Sequence, residues 1–584
     1  MPDKNAPQVA LIADAHYHCI DSDYGPSIAL NGQARAIRSW TDTCESSRVF
    51  NESHDALTTA LDDIHARGIR HVALLGDYTD DGQIESTTRL VTLLRHYQQT
   101  HHLQFFALPG NHDIYGPIGK HQTTRFVTGP DSSVLVTSDP ATAQTEPGTA
   151  VLTTAMYCEG YLNGLQAMKD FGYFRQPGYL HWESPFGDSD AIESRVYKAR
   201  SENGDNVHKL IDASYLVEPT DGVWLLMIDA NVFEPRNGDW RVSQKKAFID
   251  SSNAGWNSVL RNKPYLLDWI RSVCTRASSA GKHLIACSHY PVLDVFNDTE
   301  NVERQLFGKN TMVRRKPTIA VADAVGATGL HRHFGGHMHV NGHTQHDCGT
   351  HILTDIAVPS LVSFPPCYKI VNCTTDVHDI DTVPLYLMTL NTSLMDYYQR
   401  ESNISQLMGE KATSVVNYGE FLYQQLHARV KYRHLPKEWP EDIATTLRNT
   451  TAADLAVFMM AKQESTHDKN HKTLPEVKHF AAITDTEAPW LAELVHLSKP
   501  AGLTLTHFTR CSMLQLVGDW YCLRQGGDQA RLFIDAENIR LYEFLGNTFG
   551  CSSGNEAENP LGFFTLFLLA LRRYVRTQSK APYV

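Results

Sequence analysis

The strongest constraint on how this chain can fold is a recurring arrangement in which a short apolar run stops at glycine and a knot of polar ligands. Val72–Leu75 runs into Gly76-Asp77, and Phe105–Leu108 runs into Gly110-Asn111-His112-Asp113. Far downstream, His333–Gly335 leads, more weakly, into Gly336-His337-Met338-His339. Short apolar runs of this length read as buried strands. Polar residues just past strand ends stand where open α/β sheets hold their ligands. An Asn-His-Asp string on a glycine turn offers an amide oxygen, an imidazole and a carboxylate together, which suits metal or phosphate chemistry better than packing.

The surrounding sequence supplies the matching elements. Gln8–Ala13 reads as a first strand that ends at Asp14-Ala15-His16. Asn51–Arg67 carries Ala56, Leu57, Ala60, Leu61 and Ile64 at helical spacing, with Gly68 as its stop. Ile84–Gln99 reads as a second helix, so strand, helix, strand, helix, strand predicts a parallel sheet. Phe126–Thr154 is rich in Ser, Thr, Pro and Gly, has no period, and is expected to be a long surface excursion. Val207–Val217 and Gly222–Asp229 resume as strands, Tyr265–Ala280 as a helix, and His283–Cys287 as a strand ending at Ser288-His289-Tyr290-Pro291. Thr350–Val358, Cys367–Val371 and Pro384–Leu390 are expected to close a second sheet. After Asn391 the texture becomes helical, over Glu410–Val430, Thr451–Lys462 and Phe564–Arg576. The expected division is 1–395 and 396–584.

Bulk properties narrow the function. A chain of 584 residues is expected to hold more than one domain. The net charge of −13 and the absence of Lys/Arg clusters argue against a stable nucleic-acid complex. The 11 cysteines include no Cys-x-x-Cys pair and suit reduced, mostly buried thiols in a cytoplasmic protein. Leu561–Leu571 is about half the roughly 20 residues a membrane span needs, so a buried helix is expected and no membrane span. Val9–Ala13 is likewise too short for a signal-peptide core.

Taken singly, the polar knots are ordinary strand ends and turns. Asp14 and His16 stand two apart, as do His337 and His339, and in an extended segment such residues point the same way. Asp77 has two oxygens with which to bridge two cations, and Asn111 offers a neutral one. His112 is better used to protonate a leaving group. His289 follows a strand, before the stiff Pro291. His18, His331, His333, His343 and His346 are read as surface or supporting residues. The informative fact is the order: Asp-x-His, Gly-Asp, Gly-Asn-His-Asp, His, Gly-His-x-His, each at a strand end.

That ordered set resembles the calcineurin-like metallophosphoesterase superfamily, over roughly residues 8–390. The resemblance implies a four-layer α/β/β/α sandwich of two mixed sheets, followed by a mostly helical C-terminal domain. It implies two metal ions, one held by Asp14, His16, Asp77 and His339, the other by Asp77, Asn111, His289 and His337, with Asp77 shared. An all-N/O donor set suits Mn, Fe or Zn, divalent or mixed-valence, and Mn is favoured. His112 would serve the leaving group, with Asp80 or Asp113 orienting it or the ligands. Gly76-Asp77-Tyr78-Thr79-Asp80-Asp81 lacks the Arg of the protein Ser/Thr phosphatases, and His16 and Asp80 depart from the purple acid phosphatases. The pattern is most similar to bacterial class III cyclic-nucleotide phosphodiesterases, with shorter matches at Asp170–Tyr173, Val223–Asp229 and Phe364-Pro365. The implied activity is hydrolysis of a small phosphodiester, a cyclic nucleotide among the candidates, by hydroxide generated on the metal pair. The alternatives are a phosphomonoesterase acting on a small metabolite or nucleotide, a non-catalytic scaffold, and a nuclease.

Overall fold

A computed structural model describes residues 6–244, 246–296, 299–308, 310–373, 378–401, 415–464, 489–550 and 559–576. The chain forms two compact units, one of Met1–Val295 with Arg315–Leu422, the other of Phe296–Arg314 with Tyr423–Ala581. The first unit therefore continues past residue 395. The reason is local: Glu401 accepts the Trp40 backbone N–H at 2.8 Å, and the Tyr398 hydroxyl donates to Glu52 at 2.8 Å.

Two mixed sheets build the first unit. In the first, the parallel strands Gln8–Ile12, His71–Leu75 and Gln104–Leu108 lie side by side. Cys367–Cys373 adds to Gln8–Ile12 antiparallel, and His378–Pro384 adds outside it. Cys367–Val371 was expected in the second sheet; it closes the first, and Pro384 ends a strand instead of starting one. The second sheet runs His181–Glu183, Tyr215–Thr220, Val223–Ile228, His283–Ser288, Arg332–Gly335, Ile352–Ala357, Gly342–Asp347. Its four consecutive strands from Val223–Ile228 to Ile352–Ala357 are parallel. The Val207–Val217 run divides into two strands, Val207–Ile211 and Tyr215–Thr220.

These parallel strands are buried almost throughout, as continuous apolar runs between two covering layers must be. The sheets meet face to face, and the Tyr215 hydroxyl donates across the interface to the Ala107 carbonyl at 2.9 Å. Helix Ser53–Ala66 buries Ala56, Leu57, Ala60, Leu61 and Ile64, the stripe its spacing requires. Helix Tyr265–Ser279 packs Leu266, Ile270, Val273 and Ala277 into the core beside Leu226 and Ile228. The result is the four-layer α/β/β/α arrangement.

The excursion is more regular than expected. Thr123–Gly129, Ser132–Thr137 and Val151–Leu152 form a small three-stranded sheet. Phe126 and Val136 bury themselves against Tyr24 and Met156, an alternation hidden by the polar residues between them.

The second unit is helical. Its described helices include Tyr418–Arg429 (which starts within the first unit), Ala452–Glu464, Met513–Gly526, Ala536–Phe549 and Pro560–Val575. Part of the expected Glu410–Val430 helix lies outside the described residues. Leu561–Leu571 falls in a helix buried over most of its surface, and no helix among the described residues is long and apolar enough to cross a membrane. Ten cysteines are described; all are free thiols, and all but Cys274 and Cys348 are buried.

Candidate metal centre

Each polar knot sits just past the end of a strand, and the backbone draws the knots together. Asp14 and His16 donate their N–H groups to the Gly76 and Asp77 carbonyls at 3.1 and 2.8 Å. The His112 N–H donates to Asp77 Oδ1 at 2.7 Å, and the His337 N–H to Asp14 Oδ2 at 2.9 Å. Gly110 and Gly336 are required by space alone. A Cβ on either would stand within 2.1 Å and 2.5 Å of the Asp77 and Asp14 carboxylates.

The local backbone differs from the extended geometry expected of Asp-x-His and His-x-His. Asp14, His16, Asp77, His337 and His339 all have φ between 40° and 65°. Only two other non-glycine residues in the described chain share this left-handed region, Asn31 and His102. Such a conformation costs of order 1–3 kcal/mol per residue and persists where surrounding structure over-determines it. These residues converge through tight, strained turns and not through strand pleating.

Three overlapping groups of ligand atoms result, one of them His16, Asp77 and His112. Asp14, His16 and His339 lie together, as do Asp77, His289 and His337. His16 Nε2 is 3.2 Å from His339 Nε2, and His339 Nε2 is 3.2 Å from Asp14 Oδ1. His337 Nδ1 is 3.2 Å from His289 Nε2. Asp77 Oδ2 lies 3.8 Å from His16 Nε2 and 3.3 Å from His289 Nε2. Asp77 Oδ1 meanwhile accepts the His112 N–H.

The donor set fits cations. His289 Nδ1 lies 2.9 Å from the Leu75 carbonyl, and His337 Nε2 lies 3.0 Å from the Ser252 carbonyl. Carbonyls accept only, so those ring nitrogens carry the protons. The other two nitrogens then face each other at 3.2 Å, an arrangement that needs a positive charge between them, either a proton or a metal ion. The buried Asn111 Oδ1 has no hydrogen-bond partner among the described residues, as expected of a neutral oxygen kept for a metal. Electrostatics agree. Burial lowers the His289 pKa, but Asp77 and Asp14 outweigh it and push it up to about 9, so without a metal ion the positive charge here is a proton on Nε2. Burial works to raise Asp77, yet His289 and His112 hold it well below the usual carboxylate range. Burial and the nearby Arg48 keep His16 well below its ordinary value, which favours the lone-pair form.

His112 lies at the edge of these groups, its ring centroid 4.9 Å from that of His16. Its partner was missed in the sequence. Nδ1 pairs with Asp81 Oδ1 at 2.7 Å, not with Asp80 or Asp113. Asp80 is held by Arg48, whose Nε and Nη2 donate to Asp80 Oδ1 at 2.9 and 2.7 Å. Arg48 Nη2 also stands 3.5 Å from His112 Nδ1. Asp113 does support a ligand loop: it accepts the Gly110 N–H at 2.9 Å and the Thr79 N–H and hydroxyl at 2.8 Å each. Burial and the neighbouring Asp77 raise its pKa to about 7.

A second set of supporting groups lies under His289. Ser288 Oγ is 2.8 Å from His333 Nε2, and His333 Nδ1 is 2.8 Å from Asp355 Oδ1. The spacing is that of a hydrolytic triad, but all three residues are sealed from solvent. The Ser288 hydroxyl gives its proton to the Tyr290 carbonyl at 2.6 Å, and Asp355 Oδ2 accepts the Val292 and Leu293 N–H groups. The array is a strut for the turn that follows His289. Of the remaining histidines, His18 is buried against Tyr24 and Phe126 and bonded to the Ala36 carbonyl, and His346 pairs with Asp323.

The fold and this donor set are of the kind that could hold a pair of metal ions. Residues 7–177 match the family model described as calcineurin-like phosphoesterase. The family implies two divalent metal ions. No curated protein matches the chain. Among solved structures, a dimetal phosphatase from Danio rerio is similar at 14% identity and a TM-score of 0.34, over 66% of this chain and 97% of that one. A Staphylococcus aureus protein described as a 5′-nucleotidase, solved with alpha-ketoglutarate, is similar at 10% identity and a TM-score of 0.29, over 69% of this chain and 59% of that one.

Proposed function

We propose that the chain hydrolyses a small phosphodiester, a cyclic nucleotide among the candidates, at a two-metal centre with manganese as the favoured ion. The observation that carries this reading is the pair His289 and His337, each with one ring nitrogen anchored on a carbonyl and the other turned toward its partner beside Asp77 Oδ2, where a positive charge is favoured. Asp14, His16, Asp77 and His339 would hold one ion, and Asp77, Asn111, His289 and His337 the other. Two such ions, when bound, neutralise developing charge on the phosphoryl oxygens and make a water acidic enough to act as nucleophile near pH 7.

The protein's own groups supply the remainder. Burial and Arg48 lower the His112 pKa, but Asp77 and the hydrogen bond to Asp81 outweigh them, so its pKa is raised and its ring keeps a proton to give. Asp81 fixes that ring so that Nε2 is the atom free to donate to the leaving oxygen. Arg48 brings positive charge to the same edge, but Asp80 and Asp81 lie 2.7 and 3.7 Å from its Nη2 and offset it. A monoanionic diester asks less of an edge so balanced than a dianionic monoester does.

The test is the rate on bis-p-nitrophenyl phosphate against p-nitrophenyl phosphate, with added Mn²⁺ and a chelated control. Faster diester cleavage that chelation abolishes is the expected result. Faster monoester cleavage would assign a phosphomonoesterase instead.

A further inference from the structure

The strands that carry His289 and His337 at their C-terminal ends have a cavity of about 410 Å³ at their N-terminal ends. It lies within the first unit, between helix Tyr265–Ser279 and the starts of strands His283–Ser288 and Arg332–Gly335. That volume falls within the range of small-molecule sites, about 300–1,000 Å³. Lys282, His283, His331 and Arg332 line it, with Leu284 and Leu330 as apolar surface, and no Asp or Glu does.

These basic groups are not equivalent. Lys282 Nζ is already paired with Glu218 and Asp221, at 2.6 and 3.1 Å. The His331 ring packs on His351, with centroids 4.6 Å apart. Arg332 is only partly exposed, and its guanidinium has no hydrogen-bond or ion-pair partner among the described residues. Burial lowers its pKa, the mark of a cation short of water and of counter-charge. Partly desolvated charges are costly unless paired, and a guanidinium matches the two oxygens of a phosphate or carboxylate.

We propose that this cavity binds a small organic anion, its phosphate or carboxylate group on Arg332 and its apolar body against Leu284 and Leu330. Because the cavity and the metal centre occupy opposite ends of the same strands, occupancy of one leaves the other open.

The experiment is calorimetric titration of the full chain, treated with chelator, using phenylphosphonate and benzoate as probes. Both have the apolar body, and comparing them tells which head group is preferred. Millimolar or tighter binding of at least one probe is expected, weakened about tenfold or more in Arg332→Gln, partly restored in Arg332→Lys and unchanged in Asp77→Asn. Binding that survives Arg332→Gln, or that is lost in Asp77→Asn, would place the anion elsewhere and overturn the proposal. Absence of binding by both probes at 10 mM would overturn it too.

Discussion

At the scale of single residues, the centre is assembled by conformations that L-residues avoid, with five ligand candidates in left-handed backbone. The side chains that orient the reacting groups are separable from those that would hold metal. Asp81→Asn should leave metal content unchanged and lower kcat by about 10- to 100-fold, the usual effect of losing such an orienting contact. His112→Ala should also keep its metal, but lose turnover more on poor leaving groups than on nitrophenolate; equal losses on both would remove His112 from the leaving-group role. Buried Glu52 gives a pH prediction. Burial lifts its pKa to about 7 despite the Tyr398 hydroxyl, and Oε2 has no partner among the described residues. The unfolded chain titrates at about 4.3. Between these values the folded state holds a proton the unfolded state has lost, so stability falls as pH rises through the window. Glu52→Gln should flatten this slope and gain about 2–4 kcal/mol on wild type above pH 7, read from denaturant melts at pH 5 and 8. An unchanged slope would mean that Glu52 stays ionised. The eight candidate site residues could be proposed from the sequence because most of them stand in short polar strings at strand ends. Asp81 was not, because an Asp-Asp doublet does not say which carboxylate a strained turn will aim at His112. Arg48 was not, because it reaches His112 from 64 residues away.

At the scale of elements, periodicity located the strands and helices that position the site, and the errors have physical causes. Cys367–Val371 carries no mark of which sheet it joins, since a strand buried on both faces fits either. The Thr123–Leu152 sheet was hidden because its buried positions are few and set among Ser and Thr. In the second unit, helix Pro560–Val575 buries Phe567 fully, against Trp439 and Trp520. Phe567→Ala should therefore destabilise that unit by about 3–5 kcal/mol, seen as an earlier transition in denaturant. A shift below 1 kcal/mol would mean that neighbouring rings refill the space.

At the scale of the whole molecule, the second unit is built from two stretches of chain, Phe296–Arg314 and Tyr423–Ala581. Arg524 binds Glu303 through a buried pair within it, at 2.7 Å for Nε. One C-terminal cut cannot remove such a unit cleanly. Truncation after residue 395 also takes away Tyr398 and Glu401, which secure Glu52 and Trp40 in the first unit. A chain ending at Leu422 should melt at a higher temperature than one ending at residue 395. None of this was legible from the helical texture after Asn391, because sequence order does not show that an inserted segment packs with distant helices. The most direct test of the central claim is metal content per chain, by elemental analysis after reconstitution with Mn²⁺, for wild type and Asp77→Asn. Two ions are expected in the wild type and fewer than two in the variant, with turnover abolished. Two retained ions and wild-type turnover in Asp77→Asn would contradict it.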